Sequence, residues 1–260
     1  MYKRQLLDRG AEVDRAENGG WTPLFIACQE GHVDVARLLL DKGAAVDHAD
    51  KQGRRPLNIA KRKDHDAVVA LLEEHMDSKF PLHAAARTGD VEAMTHLLDG
   101  GAEVDAKKDG TTSLFVACEG GHVDAARLLL DKGADVDRAH ADGWTPLHVA
   151  CRKGHDDAAR LLLDNGAEVN LAAKNGWTPL LIACLKGDVD AARLLLAKGA
   201  VVESVDKYGR TALFIACQES HVDAVLLLLD KGAAVDRADE DGRTPLFIAC
   251  LLYTSPSPRD

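Results

Sequence analysis

Aromatic residues are scarce: Trp, Tyr and Phe make up 4% of the 260 residues, although 46% are hydrophobic. The interior therefore has to be built from Leu, Ala, Val and Ile, which suits thin, repetitive packing better than one large core. Positive charge is also in deficit. The formal net charge is −10, which works against broad attraction to phosphate backbones or anionic membranes, so neither nucleic acid nor membrane is expected as a partner. No apolar run reaches the roughly eighteen residues of a membrane span, and no charged start leads into a short apolar segment that would direct secretion. The expectation is a soluble intracellular protein, cytoplasmic with the nucleus left open. Nucleophile elbows, phosphate-binding glycine loops and His-Glu metal motifs are all missing, so the chain is expected not to be an enzyme and to need no cofactor.

What the chain has instead is a period. "GWTPLFIACQEGHVDVARLLLDKGAAVD" at 20–47 returns, with small changes, at 143–170, 176–203 and 209–236. The position held by Thr22 recurs at Arg55, Phe80, Thr112, Thr145, Thr178, Thr211 and Thr244, with a spacing of 33 in five of the seven intervals. Thr before Pro offers an N-cap, and Pro at the first helical position loses a hydrogen bond it does not need, so "TPL" opens a helix. Gly then breaks it. "HVDAARLLLDKG" supplies a second helix with apolar residues at i, i+3 and i+4 and a glycine stop. The polar, Gly-bounded stretch between units, such as "GAAVDRADEDG" at 232–242, suits an extended excursion turning at Asp-Gly. No unit of this size buries its own apolar face, so neighbours must stack.

These residues resemble the ankyrin-repeat family, whose pattern is DG-x-TPLH-x-A-A-xx-GH-xx-V-xx-LLL-xx-GA-x-V-N/D. The resemblance covers roughly residues 6–250. It implies an all-α solenoid of stacked helix-turn-helix units joined by β-hairpin-like loops, with partners bound on a concave face of loop tips and first helices. It also implies a structural role for His83 and His148, at the "TPLH" histidine, and marks Asn170, at the "V-N/D" position, as a candidate for hydroxylation.

The period is disturbed between Arg55 and Phe80, where the interval is 25. One hairpin loop is missing there. The expected organisation is an N-terminal stack over 6–76 and a C-terminal stack over 77–250, with a joint near 74–79. A milder slip, 32 instead of 33 between Phe80 and Thr112, is expected to be absorbed in the loop "GAEVDAKKDGTT".

Six cysteines, at 28, 118, 151, 184, 217 and 250, occupy one repeat position, and four of them precede a histidine by four residues. Each such pair supplies two ligands, and the next lies a helix-packing distance of about 10 Å away. A zinc site needs four donors within roughly 2.0–2.3 Å of the metal. The cysteines therefore read as small buried hydrophobes and the histidines as turn residues bonded to backbone, with no metal expected.

Candidate binding residues lie where the repeat leaves the side chain free. Trp21, Arg54, Trp144, Trp177, Tyr208 and Arg210 fall at or beside the loop tips, and Trp, Tyr and Arg are the residue types enriched in binding hot spots. A second reading has the tryptophans packing on the neighbouring loop. At the end of the first helix, Arg62, Lys63, Arg87, Arg152, Lys153 and Lys186 form a basic row on an acidic molecule. That row favours an acidic peptide or partner surface, against the alternative of a mixed solvated surface. The function read from the sequence is a monomeric protein–protein interaction scaffold. The alternative is the targeting segment of a larger enzyme, a kinase or ubiquitin ligase, with its catalytic domain elsewhere.

Both ends break the pattern. "CLLYTSPSPRD" back-translates to codons beginning TGT CTC TTA TAC ACA, which resemble a transposase-based sequencing adapter, and "MYKRQ" back-translates to the same tag in reverse complement. Residues 1–5 and 251–260 are therefore expected to lie outside the repeat protein, the latter disordered, with Cys250 ambiguous.

Overall fold

A computed structural model describes residues 2–253, with side chains through 251. Among the described residues there are sixteen helices and no strand. After α1 (Tyr2–Asp8) they come in pairs. The first stack has α2 (Pro23–Gln29) with α3 (Val33–Asp41) and α4 (Pro56–Arg62) with α5 (Asp66–Lys79). Next come α6 (Pro81–Thr88) with α7 (Val91–Asp99), α8 (Ser113–Gly120) with α9 (Val123–Asp131), and α10 (Pro146–Lys153) with α11 (Asp156–Asp164). They are followed by α12 (Pro179–Lys186) with α13 (Val189–Ala197), α14 (Ala212–Gln218) with α15 (Val222–Asp230), and finally α16 (Pro245–Tyr253).

The chain divides into two compact units, Met1–Pro81 and Leu82–Asp260, each with its own apolar core. The first core runs from Leu24 to Met76 and the second from Leu82 to Ala233. Residues 74–79 form the last turns of α5, which is 14 residues long where the other complete second helices have 9. The missing loop is thus replaced by helix. At the ends, Tyr2–Gln5 continue α1 and 251–253 continue α16, while Met1 and 254–260 lie outside the described residues.

The first helices start as their sequence predicts. Thr22, Thr112, Thr178 and Thr211 each accept a hydrogen bond from the backbone N–H three residues on, at 3.2–3.4 Å. Arg55 has no acceptor to offer, and α4 begins without a side-chain cap. At Thr145 the cap is reciprocal: His148 Nδ1 accepts the Thr145 N–H at 3.2 Å, and His148 Nε2 donates to the Trp177 carbonyl at 3.0 Å. His148 is therefore a neutral imidazole whose two nitrogens are both used, and His83 likewise bonds the Thr111 carbonyl at 2.9 Å.

Between first and second helices the chain turns through a left-handed residue. Gly31, Gly89, Gly121 and Gly187 have φ between +67° and +72°, where a Cβ is strained. A second constraint comes from the next unit. His65, His122, His155 and His221 lie so close over these glycines that an added Cβ would stand 2.6–2.8 Å from the ring Nδ1. Each ring then donates from Nε2 to a carbonyl of the preceding unit, at Gln29, Arg87, Glu119 and Leu185, over 3.0–3.2 Å. Asp64 and Ser220 take the same conformation without being glycine, at φ 56° and 60°. For Ser220 the residue that would stack from the following unit lies beyond the described residues.

The hairpin-like loops are short closed turns. In the commonest form the Asp50 N–H donates to the Arg54 carbonyl and the Gly53 N–H to the Asp50 carbonyl, at 3.0 and 2.9 Å, a three-residue turn with glycine in the left-handed position. The loop shortened by one residue closes Lys108 onto Thr111 at 2.9 and 3.0 Å. Asp109 and Gly110 then have φ 55° and 84°, the signature of a two-residue type I′ turn. Only isolated bridges, Lys108 with Thr111 and Val205 with Thr211, form among the described residues. Successive tips are joined backbone to backbone, the Lys174 N–H to the Asp142 carbonyl and the Lys207 N–H to the Asn175 carbonyl, at 2.9 and 3.0 Å.

Two outcomes follow in urea unfolding. Gly121→Ala is expected to destabilise by about 2 kcal/mol, because it combines left-handed strain with displacement of His155, whereas Ser220→Gly is expected to stabilise by roughly 0.5–1 kcal/mol. For His148, burial holds the imidazole pKa down to about 4 from 6.5. The unfolded chain therefore binds the proton first, and stability is lost as pH falls from 6.5 towards 4. Comparing the wild type with His148→Gln across that window should show this loss, about 3 kcal/mol at full extent, in the wild type alone.

Candidate functional site

The tip side chains singled out in the sequence do not stand free. In the first unit, half-buried Trp21 stacks on Phe25 with ring centroids 5.9 Å apart. Its Nε1 donates to Asp50 Oδ2 at 3.2 Å. The Arg54 guanidinium lies over Trp21 at 5.9 Å and pairs with the Asp50 carboxylate at 2.6 Å. Asp50 also accepts the Gln52 and Arg54 N–H groups, both at 2.9 Å. Burial works against its charge, but the Arg54 guanidinium, these N–H groups and the indole together hold its carboxyl down at about 2.

The second unit repeats the arrangement. Arg210 pairs with Asp206 at 2.6 Å and lies 5.8 Å over Trp177 and 5.1 Å over Tyr208. Lys207 covers the Tyr208 ring at 4.7 Å. Buried Asp206 accepts the Tyr208 and Arg210 N–H groups at 2.9 and 3.0 Å. Of the two readings of the tryptophans, packing on the neighbouring loop describes Trp21 and Trp177 as they stand. Each supplies the face on which the next tip's arginine rests.

The sequence reading missed these aspartates. The signal was present: every tip with arginine has Asp four residues earlier, at Asp50, Asp206 and Asp239. The tips with tryptophan have Glu17, His140 and Ala173 there.

Trp144 is different. It tilts over His148 at 5.6 Å, and its outer face carries Arg152, at 5.0 Å, from the end of its own helix α10. Arg152 and the adjacent Lys153 both reach one carboxylate, Glu119, at 3.3 and 3.4 Å, and all three side chains are about two-fifths exposed. The structure therefore brings Arg152 and Lys153 together around a single anion, with Trp144 against Arg152. Lys186 is exposed at the corresponding end of α12, and Arg87 at the end of α6. Arg87 also lines a groove of about 280 Å³ with His83, Lys108, Asp109, Thr111 and Glu119. In the first unit Arg62 and Lys63 are exposed where α4 ends.

Four of the six cysteines sit in the cores, whereas Cys217 is half-buried and Cys250, expected to be buried like the rest, is exposed. Cys28, Cys118, Cys151 and Cys184 are buried, and burial pushes each thiol up to about 12, so they carry neutral S–H groups at physiological pH. Asn170 is exposed, and its amide is used twice, accepting the Val201 N–H at 2.8 Å and donating to the Gly199 carbonyl at 3.1 Å. Among the described residues no helix is long and apolar enough to cross a membrane.

The tip carboxylates set a clear contrast. Asp206→Ala takes the carboxylate from two loop N–H groups and a half-buried guanidinium and is expected to lower unfolding stability by about 2 kcal/mol. Asp241→Ala, which removes only the exposed 2.8 Å pair with Arg243, is expected to change it by less than about 0.5 kcal/mol.

The model describing ankyrin repeats in three copies matches overlapping segments 3–80, 60–140, 82–173, 136–206, 168–239 and 202–254. No curated protein matches the chain. Paired helices, glycine–histidine stacking and closed loop tips agree with that match along its length, and the chain belongs to the ankyrin-repeat family.

Proposed function

We propose that the chain is an interaction scaffold whose second unit recognises an acidic segment of a partner protein. Ankyrin repeats generally serve as protein–protein interaction modules, which supports the class of function. The acidic partner is supported by one observation: Arg152 and Lys153 converge on the single carboxylate of Glu119. Two cations held around one anion leave an unbalanced positive charge on a chain of net charge −10. Arg152 is also fixed in place by the Trp144 face, which lowers the entropy lost when it accepts a partner carboxylate. Lys186 at the end of α12 and Lys174 and Lys207 on the loops extend the positive row.

Trp144 is the tip residue best placed to touch a partner, since its arginine comes from its own helix rather than from the next loop. Trp177, Tyr208 and Arg210 contribute a stiff apolar platform and not a free charge. Arg62, Lys63, Trp21 and Arg54 form a smaller counterpart in the first unit.

The test is binding to immobilised Asp/Glu-rich peptides, with Lys/Arg-rich peptides as the control. Binding should favour the acidic set, weaken with salt, and fall at least tenfold in the Arg152→Glu/Lys153→Glu double variant with the melting temperature held. Unchanged affinity in that variant, or equal binding of both peptide sets, sinks the acidic-partner reading.

A further inference from the structure

One junction in the second unit is built differently from its neighbours. At the other three junctions within that unit the second helix is preceded by a histidine that crosses to a carbonyl of the preceding repeat, as His122, His155 and His221 do, while Asp90 caps α7 where the unit begins. Before α13 that place is taken by Asp188. Asp188 Oδ1 is turned back onto its own helix, accepting the Ala191 N–H at 3.0 Å. The inter-unit hydrogen bond made by histidine elsewhere is thereby exchanged for a helix cap.

The residue facing it has changed as well. The first position of the second helix is valine in α3, α7, α9, α13 and α15, at Val33, Val91, Val123, Val189 and Val222, but it is aspartate in α5 of the first unit, at Asp66, and in α11 of the second, at Asp156. Asp156 meets Asp188 side chain to side chain. Asp156 Oδ1 is a buried atom with no hydrogen-bond donor, the sole side-chain atom without a partner of that kind among the described residues. A buried carboxylate oxygen without a donor is costly, and two carboxylates in contact repel. One proton eases both problems: a carboxylic acid at Asp156 donates to the Asp188 carboxylate, which ends the repulsion, and it carries no charge of its own, so the undonated Oδ1 costs less as a neutral carbonyl oxygen.

We propose that Asp156 and Asp188 form a proton-binding junction between the α10–α11 and α12–α13 units: protonated it closes, and deprotonated it becomes the loosest junction of the second stack. The chemistry is a single reversible proton transfer from solvent to one carboxylate, with no other bond made or broken. The surrounding charges push in one direction. Burial and the anionic neighbours Asp188, Asp190 and Asp157 all raise the Asp156 carboxyl above its ordinary range. From α10 beneath, Cys151 is neutral, and its own thiol is pushed up by burial with Asp188 and Asp156 adding to it. The junction lies between the helix ends bearing Arg152 and Lys153 and the one bearing Lys186, so its opening changes the spacing of that row.

The sign follows from linkage. A carboxyl whose folded-state value is raised binds its proton more tightly when folded, so it stabilises at low pH and loses that contribution as pH rises through the raised value. The experiment measures amide exchange in the first turn of α13 for the full chain and for Asp156→Val, which installs the residue found at this position in α7, α9, α13 and α15. At pH 7.5 the wild type should exchange at least threefold faster than the variant, and the two should converge by pH 4. A wild-type to variant ratio constant across pH overturns the proposal, as does a ratio abolished by millimolar Ca²⁺ or Mg²⁺, which would make the pair a cation site. If Asp156→Val does not fold, carboxyl ¹³C titration of the wild type decides: a pair that titrates in two well-separated steps supports the shared proton, and two ordinary aspartate titrations overturn it.

Discussion

Everything in this molecule depends on the contact between a turn and the next turn. A glycine in the left-handed conformation leaves room for the histidine of the following unit, and that histidine ties its ring to a carbonyl the preceding helix leaves unpaired. Neither half works alone. A side chain on the glycine would expel the ring, and without the ring the helix-end carbonyl loses its donor. Because units of this size cannot bury their apolar faces alone, this repeated contact sets the register in which Leu, Ala and Cys side chains of successive units meet.

The same economy governs the loop tips. Arginine and tryptophan at these positions are held first by their neighbours, through Asp50 in one unit and Asp206 in the other, and only their outer edges remain for recognition. Rigid aromatic and guanidinium groups of this kind bind at low entropic cost, so engagement within the array prepares them for contact. The charge that a partner would feel comes from elsewhere, from cations at the ends of the first helices. There the repeat imposes no residue type, and Arg152 and Lys153 outnumber the carboxylate beside them.

Much of this was legible in the chain itself. A 33-residue period with "TPL" starts and glycine stops dictates the helix pairs, and the Thr caps fall where the sequence places them. What could not be read from one unit were contacts between residues about thirty positions apart. The Asp50–Trp21 bond, the crossing of His155 to Glu119 and the meeting of Asp156 with Asp188 all require the stacking register before any spacing argument can find them. The shortened interval between Arg55 and Phe80 announced a missing loop, but whether helix or linker would replace it depended on how far the Val68, Leu72 and Met76 face of α5 could stay buried. The hairpin-like loops stay short for a physical reason as well. Glycine in the left-handed position closes each tip after a single turn and leaves little ladder to extend.

The central claim is that recognition belongs to the first-helix ends of the second unit while the tips chiefly hold the array together. Amide chemical-shift mapping during titration with an acidic peptide tests it most directly. The account predicts shifts concentrated at Trp144, Arg152, Lys153 and Lys186, with Arg160 and Arg193 on the second helices unmoved. Shifts centred on the second helices, or none at peptide concentrations that saturate binding, would contradict it.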